Sequence, residues 1–176
     1  MDQDSNHFTL FGLPVRFAVD VAALQPVWRE LQRRYHPDRY SQAPAAEQQH
    51  ALHMAALINS AHDILRDPVK RARYLLELAG HGIDGERATV ADTDFLMSQM
   101  ELREQLDEAE SPAELDALEE EAQDWLDSLL REFPIDYEAQ DWMEAADTLR
   151  KMQFMTRLLD EIREQRERLE DELDEL

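Results

Sequence analysis

The tripeptide His36, Pro37 and Asp38 places an imidazole and a carboxylate close together in the chain. Such a pair could act as acid and base in catalysis, and clustered carboxylates elsewhere could act as a hydrolytic pair. Pro37, however, fixes its own backbone angle and disfavours helix at His36, which predicts a polar loop presented at the surface. Because no nucleophile motif or glycine-rich phosphate loop accompanies the tripeptide, we predict a binding protein that is not an enzyme.

Metal binding is a second chemistry that histidines could support. His50 and His53 are three residues apart on one predicted helix, and His62 and His81 lie further along. The chain has no cysteine, which excludes disulfides, thiolate zinc sites and an iron–sulfur cluster held by thiolates. Because no matching carboxylate pattern completes a ligand set, we predict surface histidines and neither a metal site nor a cofactor.

Arginines surround the tripeptide. Arg29 and Arg33 are four residues apart and share a helix face, Arg34 flanks them, and Arg39 extends the positive charge into the loop. Such a patch would steer docking onto an acidic protein surface. The alternative is that these are ordinary solvated arginines.

Long stretches of good helix formers and only four glycines predict an all-α fold. Asp20 is the predicted cap of a helix that ends before Pro37, and a second long helix is predicted from about Ala45. Asp67 and Pro68 then predict the start of a shorter helix, since aspartate caps a helix and proline is tolerated at its first position.

A glycine-rich segment, residues 80–87, holds three of the four glycines and predicts a domain boundary or a bend. Beyond it, three helices are predicted near residues 93–110, 112–133 and 138–176, the last two separated at Pro134. Short connections between them favour an antiparallel three-helix bundle.

The formal charge of -22 is concentrated in the second half of the chain. Residues 1–80 carry nine Lys/Arg and nine Asp/Glu, whereas residues 81–176 carry nine and 31. Such acidity opposes nucleic-acid binding, which depends on Lys and Arg, and adaptation to a salty cytoplasm is an equally good explanation of it. No segment approaches the roughly 18 apolar residues that span a bilayer, so we predict no membrane association and a cytoplasmic location.

The predicted helix after the boundary carries apolar side chains on two faces. At about 100° per residue, four apolar positions fall within roughly 40° of one line and form a normal core stripe: Phe95, Leu102, Leu106 and Ala109. Three further apolar positions lie roughly 100° to 200° away and share that far side with three glutamates: Leu96, Met97, Met100, Glu101, Glu104 and Glu108. Exposed apolar groups rimmed by charge are typical of a protein-binding site. The alternative is that the bundle buries this second face as well.

The first half of the chain resembles the J-domain co-chaperones. The resemblance is carried by the YHPD motif at residues 35–38, placed after a basic helix, and by INSAHDILRDPVKRARY at residues 58–74. It implies a J-domain over residues 1–80, a helical hairpin with the tripeptide in its loop. It also implies that this loop and the basic face beside it dock on a DnaK-type ATPase, where Asp38 perturbs an arginine near the interdomain linker.

The whole chain resembles the HscB family within that class. The motifs are FTLFGLP at residues 8–14, YLLEL at 74–78, DTDFLMSQMELREQLDE at 92–108 and AADTLRKMQF at 145–154. DnaJ itself would continue into a Gly/Phe-rich linker and cysteine-rich repeats, which are absent. Eukaryotic relatives carry an N-terminal cysteine module, so we expect the bacterial form.

Membership of this kind would imply a linker at residues 81–87, a C-terminal bundle at residues 88–176, and two protein partners. The chaperone HscA would bind the tripeptide and the four arginines named above. The iron–sulfur scaffold IscU would bind the mixed face of Leu96, Met97, Met100, Glu101, Glu104 and Glu108, together with Phe154 on the last helix. A J-protein that serves a general DnaK with some other client is the alternative.

Overall fold

The computed structural model describes residues 6–83 and 92–174. Within these ranges the chain is helical without strands, which confirms the predicted all-α class. The elements, in chain order, are α1 (His7–Leu10), α2 (Val21–Arg34), a 3₁₀ helix (Pro37–Tyr40), α3 (Ala45–Arg66), α4 (Pro68–Leu78), α5 (Thr93–Glu108), α6 (Pro112–Glu138) and α7 (Trp142–Asp174). No helix among the described residues is long and apolar enough to cross a membrane.

Two compact units divide the chain, Met1–Gly80 (unit 1) and His81–Leu176 (unit 2). The predicted linker at residues 81–87 falls largely outside the described residues, as does the start of the predicted bundle at residue 88. These domain ranges therefore stay predictions.

Unit 1 is built on a hairpin of α2 and α3, with α1 and α4 packed against α3. Its helix starts follow from local capping: the Asp20 side chain accepts a hydrogen bond from the Ala22 amide, and Asp67 accepts from the amide two residues further on. The core consists of fully buried apolar side chains from all four helices, including Phe8, Leu24, Ile58, Leu65 and Leu75.

Arg71 is a buried cation that joins α4 to two other segments of unit 1. Its Nε donates to the carbonyl of Phe17 over 2.8 Å, and its Nη1 donates to the carbonyl of Leu65. The guanidinium also lies 5.0 Å from the centroid of the Phe17 ring. A single side chain therefore ties the loop before α2 to the end of α3.

Replacing Arg71 by Met is expected to lower the free energy of unfolding of unit 1 by about 2–3 kcal/mol, because it removes the charged donor to two backbone carbonyls. The matched control is Arg73→Met. Arg73 is an exposed arginine on α4 that pairs with Glu77 four residues along, and its loss should cost less than about 0.5 kcal/mol. Chemical denaturation of both variants measures the difference, and equal stabilities would contradict this role for Arg71.

His62 lies in an aromatic stack inside unit 1. Its ring centroid is 4.9 Å from that of Trp28 and 6.3 Å from that of Phe11. Burial lowers the pKa of His62 below its usual value, and the nearby charge of Arg66 lowers it further. The folded state therefore favours the neutral ring.

The free energy of unfolding of unit 1 is accordingly expected to fall as the pH drops from about 7 to 5. The contribution of neutral His62 is complete above the unfolded-state pKa of about 6.5 and is lost as the pH falls through the lower folded-state pKa. Trp28 fluorescence can follow the transition in a chain with Trp125 and Trp142 replaced by Phe. His62→Phe should weaken this pH dependence, while the same change at exposed His53 should not; equal slopes for both would contradict the prediction.

Unit 2 is a three-helix bundle in which α6 and α7 pair along their lengths and α5 packs against both. The start of α6 is fixed by Pro112 at its first position and by a capping box between Ser111 and Glu114. The predicted core stripe of α5 is confirmed, since Phe95, Leu102, Leu106 and Ala109 are all buried.

The predicted helix break at Pro134 is wrong, because α6 continues through this residue to Glu138. Proline removes one backbone hydrogen bond, but its neighbour Phe133 is fully buried and stacks on Tyr137 at 5.9 Å. Tertiary packing thus outweighs the local signal. The turn comes later, where Gln140 adopts a positive φ of 58°.

Candidate functional site

The tripeptide begins a short 3₁₀ helix, Pro37–Tyr40, of which His36 is the N-cap. We call residues 36–40 the HPD turn. The sequence predicted a polar surface loop here; the turn within it forms because Pro37 supplies a suitable φ and His36 acts as the N-cap. The Nδ1 atom of His36 accepts a hydrogen bond from the Asp38 amide over 3.3 Å. All three tripeptide side chains are exposed, that of Asp38 to 92%.

This geometry determines what the HPD turn can offer a partner. In the neutral imidazole the proton resides on Nε2, because Nδ1 serves as an acceptor. His36 therefore presents a donor and Asp38 a carboxylate acceptor that lies 3.7 Å from Nδ1. Such a pair is suited to recognising a cationic or polar group on another protein.

An open groove of about 880 Å³ runs beside the turn. It is lined by Arg29, Gln32, Arg33, His36 and Arg39. Three of the four arginines predicted to dock on a chaperone thus meet around His36. Arg33 is paired with Glu30 over 2.7 Å, so the positive field that favours an acidic partner surface comes mainly from Arg29 and Arg39.

Two residues near the groove differ from the sequence prediction. Arg34 is exposed but is absent from the lining, and its guanidinium lies 5.6 Å from the ring centroid of Tyr35. Gln32 was missed, although its position three residues after Arg29 places it on the same face. Its Nε2 donates over 2.9 Å to Asn59 on α3, which also accepts from the indole of Trp28. Asn59 therefore joins α2, which forms this wall of the groove, to α3.

The outer face of α5 is a second exposed surface, of opposite character. Met97 and Met100 are 59% and 69% exposed, and Leu96 is half-buried. The three glutamates predicted for this face, Glu101, Glu104 and Glu108, are all exposed. The face therefore combines apolar side chains with a carboxylate rim, as protein-binding surfaces often do.

Phe154, the predicted contact on α7, is half-buried beside this face. Its ring meets Phe95 edge-on with centroids 5.8 Å apart, and the guanidinium of Arg103 lies 5.4 Å from its centroid. Arg103 also donates to Glu161 over 3.0 Å. Phe154 is thus partly covered by Arg103, which lies one turn after Met100 but was not among the residues predicted for this face.

The start of α5 is anchored to α7. Asp92 caps α5 by accepting from the Phe95 amide, and its carboxylate lies 2.7 Å from the Nζ of Lys151. Burial tends to lower the pKa of Lys151, but its hydrogen bonds with Asp92 and Asp147 outweigh this effect and raise it. The ion pair between Asp92 and Lys151 therefore attaches the start of α5 to α7.

The histidines that could have suggested a metal site are distributed over separate contacts. His50 meets the ring of Tyr35 edge-on at 6.1 Å, and His81 stacks on Trp142 at 4.7 Å. Within residues 6–83 and 92–174, no group of three or more His, Cys, Asp or Glu side chains could hold a metal ion.

Comparison with protein families matches both halves of the chain. Residues 6–74 match the DnaJ domain, and residues 91–163 match a family described as the HSCB C-terminal oligomerisation domain. A co-chaperone protein HscB homolog from Acinetobacter baumannii is 44% identical over 171 residues, which cover 96% of this chain and 95% of that protein.

Two solved structures resemble the whole molecule. Chaperone HscB from Vibrio cholerae is 37% identical with a TM-score of 0.81, covering 96% of this chain and 99% of that one. Human co-chaperone protein HscB is 31% identical with a TM-score of 0.88, covering 94% and 84%.

Proposed function

This chain belongs to the HscB family of co-chaperones, and on that basis we propose that it activates the ATPase of HscA and delivers the iron–sulfur scaffold IscU to it. HscA would be a specialised chaperone of the DnaK type. This delivery and activation would take place in the bacterial cytoplasm and would assist the maturation of iron–sulfur proteins.

The observation that carries the proposal is a pair of exposed surfaces of opposite character on separate units. Unit 1 offers a cationic groove with an exposed carboxylate at Asp38. Unit 2 offers Met97 and Met100 inside a rim of glutamates. A protein that joins two different partners needs two such surfaces. Because the two surfaces carry charge of opposite sign, each partner is disfavoured at the surface meant for the other.

The groove in unit 1 would act on HscA. Arg29 and Arg33 would steer the encounter towards an acidic surface, and Arg39 would add to the same field. Asp38 would then perturb an arginine of HscA close to its interdomain linker. Hydrolysis itself would be performed by HscA, so this chain needs no catalytic residue or cofactor of its own.

The outer face of α5 would bind IscU. Leu96, Met97 and Met100 would supply the apolar centre of the interface, and the glutamates would supply its polar rim. With IscU held on the same molecule as the HPD turn, stimulated hydrolysis would close HscA on the scaffold. The iron–sulfur cluster, carried as cargo by IscU, would then be released to acceptor proteins.

Steady-state ATP hydrolysis by purified HscA tests the proposal. Titrating the wild-type chain should raise the rate, and adding IscU should raise it by more than the sum of the separate effects. A general DnaK from the same organism should respond much less. Stimulation of DnaK without HscA would keep the J-domain function and remove the iron–sulfur role, and stimulation of neither would contradict the co-chaperone function itself.

A further inference from the structure

The last two residues of the HPD turn bind the end of α2 through their side chains. The hydroxyl of Tyr40 donates to the carbonyl of Arg34 over 3.2 Å, and the guanidinium of Arg39 donates to the carbonyl of Arg33, also over 3.2 Å. These carbonyls belong to the last turn of α2, where no further helical amide is available to bind them. The turn is therefore folded back onto the helix that carries the basic groove.

A side chain from α3 holds the other end. Gln48, in the first turn of α3, donates from Nε2 to the carbonyl of Ala43 over 2.9 Å and to that of Ser41 over 3.4 Å. The amide of Ala43 in turn donates to the carbonyl of Tyr40 over 2.9 Å. The segment that follows the turn is thus fixed to the start of α3, and the second half of the turn is fixed to the end of α2.

The tripeptide needs this support because its own hydrogen bonds are few. Besides the contact from the Asp38 amide to His36, the Arg39 amide donates to the His36 carbonyl over 3.0 Å and the Ser41 amide to the Asp38 carbonyl over 3.4 Å. A four-residue 3₁₀ helix in water does not hold its shape by such bonds alone, since short helices are marginal.

We propose that Tyr40 and Gln48 are positioning residues, which orient His36 and Asp38 relative to the basic groove. The inference rests on the proposed activation of HscA and extends it to residues outside the tripeptide and the arginines. Docking affinity would come mainly from the groove cations, whereas activation after docking would depend on where the Asp38 carboxylate points. Loosening the turn should therefore reduce the maximal stimulation more than the apparent affinity.

Tyr40→Phe removes one hydroxyl and keeps the ring. We expect the maximal stimulation of HscA to fall about three- to tenfold, the range expected for loss of one hydrogen bond that orients the turn. The concentration giving half-maximal stimulation should change by less than about twofold, because the groove is intact. Gln48→Met, which removes the amide donor without adding charge, should have the same kind of effect. Amide hydrogen exchange at Asp38 and Arg39 should be faster in both variants.

Tyr35→Phe is the matched control. It removes a hydroxyl just before the tripeptide, and the described residues show no hydrogen bond from it, so stimulation should equal that of wild type. If wild type activates HscA and both Tyr40→Phe and Gln48→Met do so equally well, the inference is wrong. A change in half-maximal concentration alone would also overturn it, since that result would indicate direct contact with HscA. A wild-type chain that leaves HscA unstimulated would instead overturn the proposed function, and this inference with it.

Discussion

Replacing Asp38 by Asn is expected to reduce the stimulation of HscA by more than about tenfold, an effect typical of the central residues of an interface. The change removes one negative charge and keeps the shape of the side chain. Because 92% of the Asp38 side chain is exposed, the substitution should leave the fold unchanged. His36→Gln should be similarly damaging, since it replaces the rigid ring, whose Nδ1 caps the turn, by a flexible amide.

The control for this prediction is Glu77→Gln, which neutralises another exposed carboxylate of unit 1, on α4 rather than in the HPD turn. It should keep full stimulation. Affinity for IscU should be the same in all three variants, because the α5 face belongs to unit 2. Stimulation by Asp38→Asn at the wild-type level would show that the exposed carboxylate is not the trigger.

The combined change Leu96→Ala, Met97→Ala and Met100→Ala is expected to weaken IscU binding by about 100-fold or more. Truncating an apolar residue at the centre of an interface commonly costs about 1 kcal/mol or more, and three such losses multiply. The helix itself should remain, since alanine is a better helix former than the residues replaced. Calorimetric titration with IscU measures the affinity, and circular dichroism confirms the fold.

The double variant Ile135→Ala, Met143→Ala is the control for a general loss of exposed apolar area. These side chains are 67% and 81% exposed, on α6 and α7 outside the α5 face. This double variant should bind IscU as wild type does. If both sets of changes weaken binding equally, or if the triple variant binds normally, the assignment of the α5 face is wrong.

Features of the fold that depend on local rules could be predicted from the sequence. Asp20, Asp67 and Pro68 mark helix starts because capping involves only neighbouring residues. The position of Met97 and Met100 away from the core stripe followed from helix periodicity, whereas their exposure did not. These signals lie within a few residues of the feature that they predict.

Features that depend on packing between distant segments could not be read in this way. Pro134 resembles a helix breaker, yet the burial of Phe133 keeps α6 continuous. The cover that Arg103 gives Phe154 depends on Glu161, 58 residues further along the chain. The bonds that frame the HPD turn join residues only five to seven apart, yet no local sequence pattern indicates that Tyr40 and Gln48 donate to these carbonyls.

The claim that both surfaces must act on one molecule is tested most directly by complementation in trans. HscA and IscU would be mixed with wild type, with His36→Gln, with the triple variant of α5, or with the two variants together, and steady-state ATP hydrolysis would be measured. We predict that the mixture is no more active than the triple variant alone, because the IscU-bound chain lacks the trigger and the chain with the trigger lacks IscU. Recovery of the wild-type rate by the mixture would contradict the coupling of delivery and activation in a single chain.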